Sequence, residues 1–423
     1  MKILRLTPHY YYSPDVIKRW IVRMDQMGGM QMQIYRQSLA LAKKGIQQDI
    51  FPITMSDAPK EWSPIEKVRV IRGNIPMIPI KSRIRGTVGL NFYWGVGVFF
   101  RIIKCKIAKS EYDIIHTHCS GVSTPLLIGV IAKRILKIPL IYTVHCCRVS
   151  TYHPMSKLDA LLNNLAIKIE RGCLRKADKV IALTDRTKAV MQKEYQLDDN
   201  KITVIPDILD YDEFVKDVNE ENIEQFKKKF DIFKDDIIIS FVGRIAYEKG
   251  CFVLLDAFEK LQQENCKLFF FGDGNERSIL EKQIRERGLE NKVKVSGYLP
   301  NTEIPLAIAS TDFMVMPSLH EEFGGLLLEI AAVGKTVIAS DAGGIPTIVK
   351  DGETGLLFHV GDSDMLLKRI KKAIENRELV SEYGKKLHDE VCSKYVYDDK
   401  VDSVIDMYKQ LKKCSHVVLG EGY

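Results

Sequence analysis

The sequence lacks the features that would place it across a membrane or in a disulfide-rich secreted fold. No uninterrupted apolar run approaches the ~20 residues that cross a bilayer, and the longest candidate, Gly86 to Phe100, contains Asn91 and four glycines. The opening MKILRLTP has too short an apolar stretch to be a secretory signal. The nine cysteines are scattered, odd in number and form no C-x-x-C pair. We therefore expect a cytoplasmic protein without structural disulfides.

Acidic residues are scarce in the first half of the chain. Residues 1–206 carry 33 Lys and Arg against 15 Asp and Glu, a net charge of +18, whereas the remainder carries −11. Three interpretations remain open: contact with an anionic membrane surface, guidance of an anionic substrate, or docking of the basic half against the acidic half. Ordinary solvated helix faces also carry many charges. We expect no nucleic-acid partner.

Apolar, strand-like runs alternate with helical stretches in both halves, which predicts an α/β fold with two parallel sheets. The strand candidates are Lys2–Thr7, Gln48–Pro52, Asp113–His116, Leu140–Val144, Lys179–Leu183, Ile202–Ile205, Ile237–Val242, Lys267–Phe271, Val293–Val295, Phe313–Met316 and Thr336–Ile338. The expected domains are residues 1–206 and 237–395, joined by a polar, helix-prone linker at 207–236. A final helix near Val401–Leu411 lies in a segment, 396–423, that could cross back to the first domain.

Two cations follow the strand that ends at Gly243 in the second half. Arg244 and Lys249 stand within six residues of this glycine, and Gly250 closes the motif. Glycine permits a tight turn and close approach of a ligand, while Arg and Lys bind phosphate oxygens. The pattern is typical of a diphosphate clamp, although two solvated cations on a turn would look the same.

Glycines and carboxylates follow the strand that ends at Met316. Gly324 and Gly325 open a helix whose first amides suit an anion. Glu321 precedes these glycines and Glu329 follows them within an apolar run, where an unpaired carboxylate would be costly to bury. Carboxylates accept hydrogen bonds from sugar hydroxyls, so this segment indicates a site for a hydroxylated, anionic ligand.

These motifs, in this order, closely resemble the retaining glycosyltransferase family 4. The matching segments are GRIAYEKG at 243–250, E-x-F-G-x-x-x-x-E at 321–329, GKTVIASD at 334–341, GGIP at 343–346 and DGETGLL at 351–357. The resemblance covers nearly the whole second half. It implies the GT-B fold, in which two Rossmann-like domains bind a nucleotide-sugar donor, and transfer to a hydroxylated acceptor with retention at the anomeric carbon.

The resemblance also implies site residues in the second half. Arg244 and Lys249 would hold the donor diphosphate and stabilise the leaving group, Glu321 would bind the donor sugar and Glu329 the ribose hydroxyls. The remaining donor-binding positions are Gly243, Gly272, Gly274, Tyr298, Phe323, Gly324, Gly325 and Leu326.

The first half resembles the family more loosely. Gly28 and Gly29 match a glycine pair near the donor phosphates, and His145 matches a strand-end histidine beside the reacting centre. His116 and His118 also end a strand. One departure is Pro206-Asp207-Ile208-Leu209-Asp210, where the family often shows Pro-Asn-Gly-Val-Asp, which puts the contacts of that segment in doubt.

Catalysis in such a family is mainly electrostatic, since cations neutralise the departing diphosphate. We therefore expect neither a metal ion nor a cofactor. Asp362-Ser363-Asp364 imitates a D-x-D metal motif, but its position in a polar stretch favours a helix cap.

The acceptor remains open between two classes. Leu4–Tyr10, followed by Trp20, Asp25 and Gly28–Gln31, is similar to glycosyltransferases of aminoglycoside assembly, which act on an aminocyclitol. The +18 charge favours instead a peripheral membrane enzyme that extends a lipid-linked or cell-surface glycan, with basic and aromatic residues mixed in Lys81–Lys109.

Other enzyme classes fit the sequence less well. A nicotinamide dehydrogenase would need G-x-G-x-x-G after a strand, and Gly272–Arg277 lacks the third glycine. A nucleotide-sugar epimerase is a further alternative. The sequence does not indicate an oligomeric state.

Overall fold

The computed structural model describes residues 1–11, 29–53, 59–72, 90–152, 154, 156–261 and 263–420. They form two compact units. The first contains the described residues up to 208 and the chain from Asp398 onward, and the second contains residues 209–397. Of the linker expected at 207–236, residues 209–236 thus belong to the second unit.

The first unit is an eight-stranded sheet covered by helices. Its strands are β1 (Lys2–Leu6), β2 (Gln47–Phe51), β3 (Glu61–Trp62), β4 (Val68–Ile71), β5 (Ile114–Ser120), β6 (Leu140–Cys146), β7 (Lys179–Ala182) and β8 (Ile202–Val204). Its helices are α1 (Gly29–Lys43), α2 (Leu90–Ile107), α3 (Ser123–Leu136), α4 (Arg148–Thr151), α5 (Lys157–Lys176) and α6 (Asp185–Tyr195).

The strand order of this sheet is β3-β4-β2-β1-β5-β6-β7-β8. All neighbouring strands are parallel except β3 and β4. Since successive strands are added on one side of β1 and then on the other, the order reverses between β1 and β5. Ligands of open α/β sheets bind at the carboxyl ends of the strands at such a point.

The second unit carries a six-stranded, fully parallel sheet. Its strands are β9 (Ile237–Val242), β10 (Cys266–Phe271), β11 (Val293–Gly297), β12 (Phe313–Met316), β13 (Val337–Ser340) and β14 (Leu356–Phe358). Its helices are α7 (Tyr211–Val215), α8 (Glu220–Lys229), α9 (Cys251–Glu259), α10 (Arg277–Glu286), α11 (Ile304–Ala309), α12 (Leu326–Ala332), α13 (Ser363–Glu375) and α14 (Arg377–Lys394). The order β11-β10-β9-β12-β13-β14 reverses between β9 and β12.

The last helix, α15 (Tyr397–Gly420), packs on the first unit. Its buried residues are Val401, Val404, Ile405, Met407, Tyr408 and Leu411. Lys412 pairs with Asp113 at 2.8 Å, and Lys44 pairs with Asp398 at 2.8 Å. The first unit is therefore built from both ends of the sequence.

Candidate active site

The two strands that flank the reversal in the second sheet deliver a cation and a carboxylate to the same place. Lys249 follows β9 and Glu321 follows β12, and Lys249 Nζ lies 2.6 Å from Glu321 Oε2. Both side chains are largely covered, with 27% and 15% of their surface exposed. The sequence assigned these two residues to one ligand from separate motifs, and the structure brings them together.

Arg244 lies on the same loop as Lys249. Its guanidinium forms an ion pair with Glu248, and 25% of its side chain is exposed. Neither cation of the predicted clamp therefore extends into bulk water. The geometry places two positive groups beside the carboxyl edge of the second sheet, each held by a carboxylate.

Gly250 holds the loop after β9 directly against the loop after β12. Its backbone is left-handed, with φ +69°, and a Cβ there would lie 1.8 Å from the carbonyl oxygen of Pro317. The amide of Leu319 donates to the Glu248 carbonyl at 2.9 Å. Because the two loops touch through their backbones, the approach of Lys249 to Glu321 is fixed by the fold.

A third loop, after β10, joins the same edge. A Cβ on Gly272 would lie 1.8 Å from the carbonyl oxygen of Gly243, and the amide of Gly243 donates to Phe271 at 3.0 Å. Gly274 has a similar close approach, 2.1 Å from the Ile245 carbonyl oxygen. The predicted positions Gly243, Gly272 and Gly274 thus share one interlocked edge.

Tyr298 reaches this edge through the neighbouring strand. It follows Gly297, the last residue of β11, and Gly297 forms an isolated bridge with Gly272. The predicted donor-binding position Tyr298 therefore adjoins the loop after β10.

The helix start predicted at Gly324 and Gly325 is present. Gly325 caps α12, and Leu327 donates its amide to the Gly324 carbonyl at 2.8 Å. The amides of Gly324, Gly325 and Leu326 precede this bond and donate to no acceptor among the described residues. Phe323 is buried and packs edge-on against Tyr395.

The sequence suggested that Glu329 is buried and has no partner within the protein, and the structure differs on both points. Its side chain is only partly buried, and it has an interaction partner within the protein. The burial argument that assigned it to a ligand is weaker for this reason. Its place on α12, one turn after Leu326, is as predicted.

Asp362 is a helix cap, as the sequence indicated. Its carboxylate accepts the amide of Met365 at 2.8 Å at the start of α13. Across the ranges that the structure describes, no three His, Cys, Asp or Glu side chains are grouped as metal ligands.

In the first unit, three histidines of the neighbouring strands β5 and β6 cluster together. The expectation that His116 ends a strand was wrong, because β5 continues to Ser120. His118 Nδ1 lies 3.2 Å from His145 Nε2, and the His116 and His118 rings stack at 4.5 Å. Burial lowers the pKa of His145 to about 3. It also lowers the pKa values of His116 and His118 far below their usual range, with the charge of Arg5 adding to the effect. All three rings are neutral at physiological pH.

Two functional candidates in this cluster were missed by sequence reasoning. Arg5 of β1 is fully buried and contacts His118, and Tyr408 of α15 lies 2.6 Å from His116 Nδ1. The signal for Arg5 was a lone cation within the apolar strand Ile3-Leu4-Arg5-Leu6. Nothing local in the sequence links Tyr408 to a strand almost three hundred residues earlier.

The two predicted glycines of the first half have different outcomes. Gly28 lies outside the described residues. Gly29 begins α1, and a Cβ there would meet nothing within 4 Å. The basic, aromatic segment Lys81–Lys109 is described only from Leu90 onward.

A second buried polar cluster supports the turn that follows His145. Arg148 donates to Asn163 at 2.6 Å and to the Gly121 carbonyl at 3.1 Å. Glu170 accepts hydrogen bonds from the Tyr195 hydroxyl and the Arg148 amide. Burial raises the pKa of Glu170 to about 7.

No helix in the described part of the chain combines the length and apolar character needed to span a bilayer. Exposed apolar side chains do occur on α2, where Phe92, Phe100 and Ile107 are 57%, 55% and 76% exposed.

Two family models together match most of the sequence. Residues 27–213 match Glycosyltransferase Family 4, and residues 222–388 match Glycosyl transferases group 1. The chain is 33% identical to the 2-deoxystreptamine glucosyltransferase of Streptomyces kanamyceticus, over 82% of this chain and 90% of that protein. It is 30% identical to the 2-deoxystreptamine N-acetyl-D-glucosaminyltransferase of Niallia circulans, over 92% of this chain and 100% of that protein.

Solved structures share the fold at lower identity. Sucrose-phosphate synthase from Thermosynechococcus elongatus superposes with a TM-score of 0.81 at 22% identity, covering 98% of this chain and 99% of that one. Anabaena HepE in complex with UDP and glucose gives 0.71 at 20% identity, covering 97% and 99%. The expected α/β fold of two parallel-sheet units is confirmed by these matches and by the sheets themselves.

Proposed function

This chain belongs to the family 4 glycosyltransferases, and on that premise we propose that it transfers a hexose or N-acetylhexosamine from a UDP-sugar to a hydroxyl of a 2-deoxystreptamine-type aminocyclitol. We propose further that the anomeric configuration of the sugar is retained. The acceptor is suggested by the names of two relatives at 33% and 30% identity, and UDP by the bound nucleotide of a structural neighbour.

The observation that carries the proposal is the pairing of Lys249 with Glu321 at the reversal point of the second sheet. In the proposed complex, Lys249 and Arg244 bind the diphosphate and neutralise the charge that develops as it leaves. Glu321 accepts hydrogen bonds from the donor sugar, and Glu329 from the ribose. The amides at Gly324, Gly325 and Leu326 offer donors to anionic oxygens.

A transfer assay tests this proposal. Purified enzyme is incubated with 2-deoxystreptamine and, in turn, UDP-glucose, UDP-N-acetylglucosamine and the corresponding GDP- and ADP-sugars, with product detection by mass spectrometry. NMR of the product reports the anomeric configuration. If the glycosylated product has the inverted anomeric configuration, retention alone is refuted. If an epimerised nucleotide-sugar forms without an acceptor, the enzyme is an epimerase.

The Lys249→Ala substitution is expected to lower kcat/KM by about a hundredfold or more, because it removes a cation from the leaving group. The matched control is Lys260→Ala, which breaks a comparable ion pair, Lys260 with Asp364 at 2.6 Å, in the same unit. Steady-state kinetics of both variants, with their melting temperatures, provide the measurement. Equal activities of the two variants would contradict the assignment of Lys249.

A second acceptor class, a lipid-linked glycan, is favoured by the exposed Phe92 and Phe100 on α2. Lys104 and Lys106 lie in the last turn of that helix, a mixture suited to an anionic membrane interface. Co-sedimentation with vesicles of anionic and of neutral lipids, at low and high salt, separates the two acceptors. Binding that is confined to anionic vesicles and lost at high salt would favour the lipid-linked acceptor.

A further inference from the structure

Arg5 is a buried cation at the point where the first sheet reverses. Its guanidinium contacts Gln37 Oε1 at 2.7 Å, His118 Nε2 at 3.3 Å and the Tyr408 hydroxyl at 3.5 Å. No carboxylate among the described residues is within ion-pairing distance of it, and its Nε has no hydrogen-bond partner there. A buried charge without a counter-charge is destabilising, which indicates that Arg5 is kept for a reason other than stability.

The direction of each hydrogen bond follows from the chemistry of arginine, which can only donate. His118 Nε2 must accept, so the single proton of the neutral His118 ring is on Nδ1. That Nδ1–H then donates to His145 Nε2 at 3.2 Å. Since His145 Nε2 accepts, the proton of the neutral His145 ring is also on Nδ1.

A second branch from Arg5 reaches the other histidine. The Tyr408 hydroxyl accepts from Arg5, which leaves its own O–H to donate to His116 Nδ1, 2.6 Å away. His116 Nε2–H in turn donates to Thr143 Oγ1 at 2.7 Å. Both branches run outward from one cation.

We propose that Arg5 is a positioning residue that locks His118 and His145 in their Nδ1–H tautomers, so that His145 presents a hydrogen-bond donor to the hydroxylated ligand. His145 is the partly exposed member of the pair, and its Nδ1 has no acceptor among the described residues. With its Nε2 occupied, His145 cannot remove the proton of the acceptor hydroxyl. The donor role of His145 rests on the proposed function, whereas the tautomers do not.

The surroundings of the histidine pair favour neutral rings. Among the described residues, Arg5 and His116 contact the pair directly, and the side chains hydrogen-bonded to those two are Gln37, Thr143 and Tyr408. None is a carboxylate, so none of them would stabilise an imidazolium.

Two-bond ¹H–¹⁵N correlation spectra of the ¹⁵N-histidine-labelled enzyme distinguish the tautomers directly, without substrate. We expect Nδ1–H for His118 and His145 and Nε2–H for His116, each assigned through the signal lost in a single His→Asn variant. An Nε2–H tautomer or an imidazolium at His145 at neutral pH would overturn the proposal.

Three variants test the role of Arg5. Arg5→Met is expected to mix the His118 and His145 tautomers and to lower kcat/KM by about tenfold or more. Arg5→Lys should keep the wild-type spectrum, because an ammonium group also only donates. The control Arg69→Met removes an arginine of the same sheet that pairs with Asp49 at 3.0 Å, and should change neither readout.

The outcomes separate the two proposals. A wild-type histidine spectrum in a folded Arg5→Met variant would refute the positioning role, even if transfer is confirmed. If no sugar is transferred to any acceptor, the spectra still decide the tautomers. Should Arg5→Met fail to fold, the wild-type spectrum and Arg5→Lys carry the test.

Discussion

Glu170 shows how a single buried side chain sets the behaviour of its neighbourhood. Its Oε2 accepts two hydrogen bonds, whereas its Oε1 has none within the residues described. Burial outweighs both bonds and the charge of Arg148, which is why the pKa of Glu170 rises to about 7. The carboxyl accepts the amide of Arg148 in the turn after His145, so the charge beneath that turn depends on pH.

The pKa of Glu170 predicts a pH-dependent stability. A carboxyl whose pKa is raised on folding stabilises the protein most below its unfolded pKa, near 4.5, and this stability is lost as the pH rises through about 7. Between about pH 4 and pH 8 the loss should be on the order of 3 kcal/mol. Glu170→Gln should remove this component of the pH dependence, as measured by urea unfolding at both pH values.

The exposed Glu194 provides a matched control for this measurement. Its carboxylate is 42% exposed, so Glu194→Gln should leave the pH dependence as in the wild type. If Glu170→Gln behaved like Glu194→Gln, the buried carboxyl would not titrate as described.

At the scale of single residues, the sequence identified as candidates the charged side chains that lie near glycine turns, such as Lys249 and Glu321. It did not reveal Arg5 or Glu170, because their partners come from distant elements. From sequence alone, a lone Arg in a strand is interpreted as a surface residue. The sheet order shows otherwise for Arg5, because it places β5 beside β1. Tertiary contacts, not local pattern, decide the role of such residues.

The strand-end loops of the second unit act as one interlocked layer. Gly250 touches Pro317, and Gly272 touches Gly243, each at a distance that only a missing Cβ allows. These contacts align the elements that carry Lys249 and Glu321. The positions of both side chains therefore depend on backbone packing between β9, β10 and β12.

Gly250→Ala is predicted to lower the free energy of unfolding by about 2 kcal/mol or more, since it adds a backbone clash to the strain of a left-handed residue. The control is Gly288→Ala, where φ is +66° and a Cβ would meet nothing within 4 Å. That variant should lose about 1 kcal/mol. Urea unfolding gives both values, and similar losses for the two would show that the loops separate without cost.

Strands could be predicted where both faces of the sheet are buried, because burial on both faces gives a continuous apolar run in the sequence. Ile237–Val242 and Phe313–Met316 match β9 and β12 at both ends. The strands β3, β4 and β14, which lie at or next to a sheet edge, were not predicted, because they are only two to four residues long. The last helix is longer than predicted, since its polar first turn at Tyr397 gave no apolar signal.

The whole chain passes out of the first unit near residue 208 and returns to it at Asp398. The returning helix α15 buries six apolar or aromatic side chains and supplies Tyr408 to His116. The first unit is thus incomplete without α15, whereas the described residues of the second unit all come from one stretch of the sequence, 209–397.

A stop codon after Tyr397 is predicted to destabilise the first unit by about 5 kcal/mol or more, because the apolar surface that α15 covers becomes exposed to water. The second unit should unfold as in the wild type. Calorimetry with limited proteolysis can follow the two units separately. A stop after Cys414 keeps every buried residue of α15 named above and serves as the control. Equal unfolding curves for the two truncations would contradict this role of α15.

The discontinuity of the first unit has a consequence for synthesis on the ribosome. The middle of the nascent chain emerges whole and is free to fold at once, but the portion made first must wait for the portion made last. During that interval its unfinished interior is available to chaperones and to neighbouring nascent chains. A chain whose translation stops before α15 would therefore leave the first unit unfinished while the second unit folds.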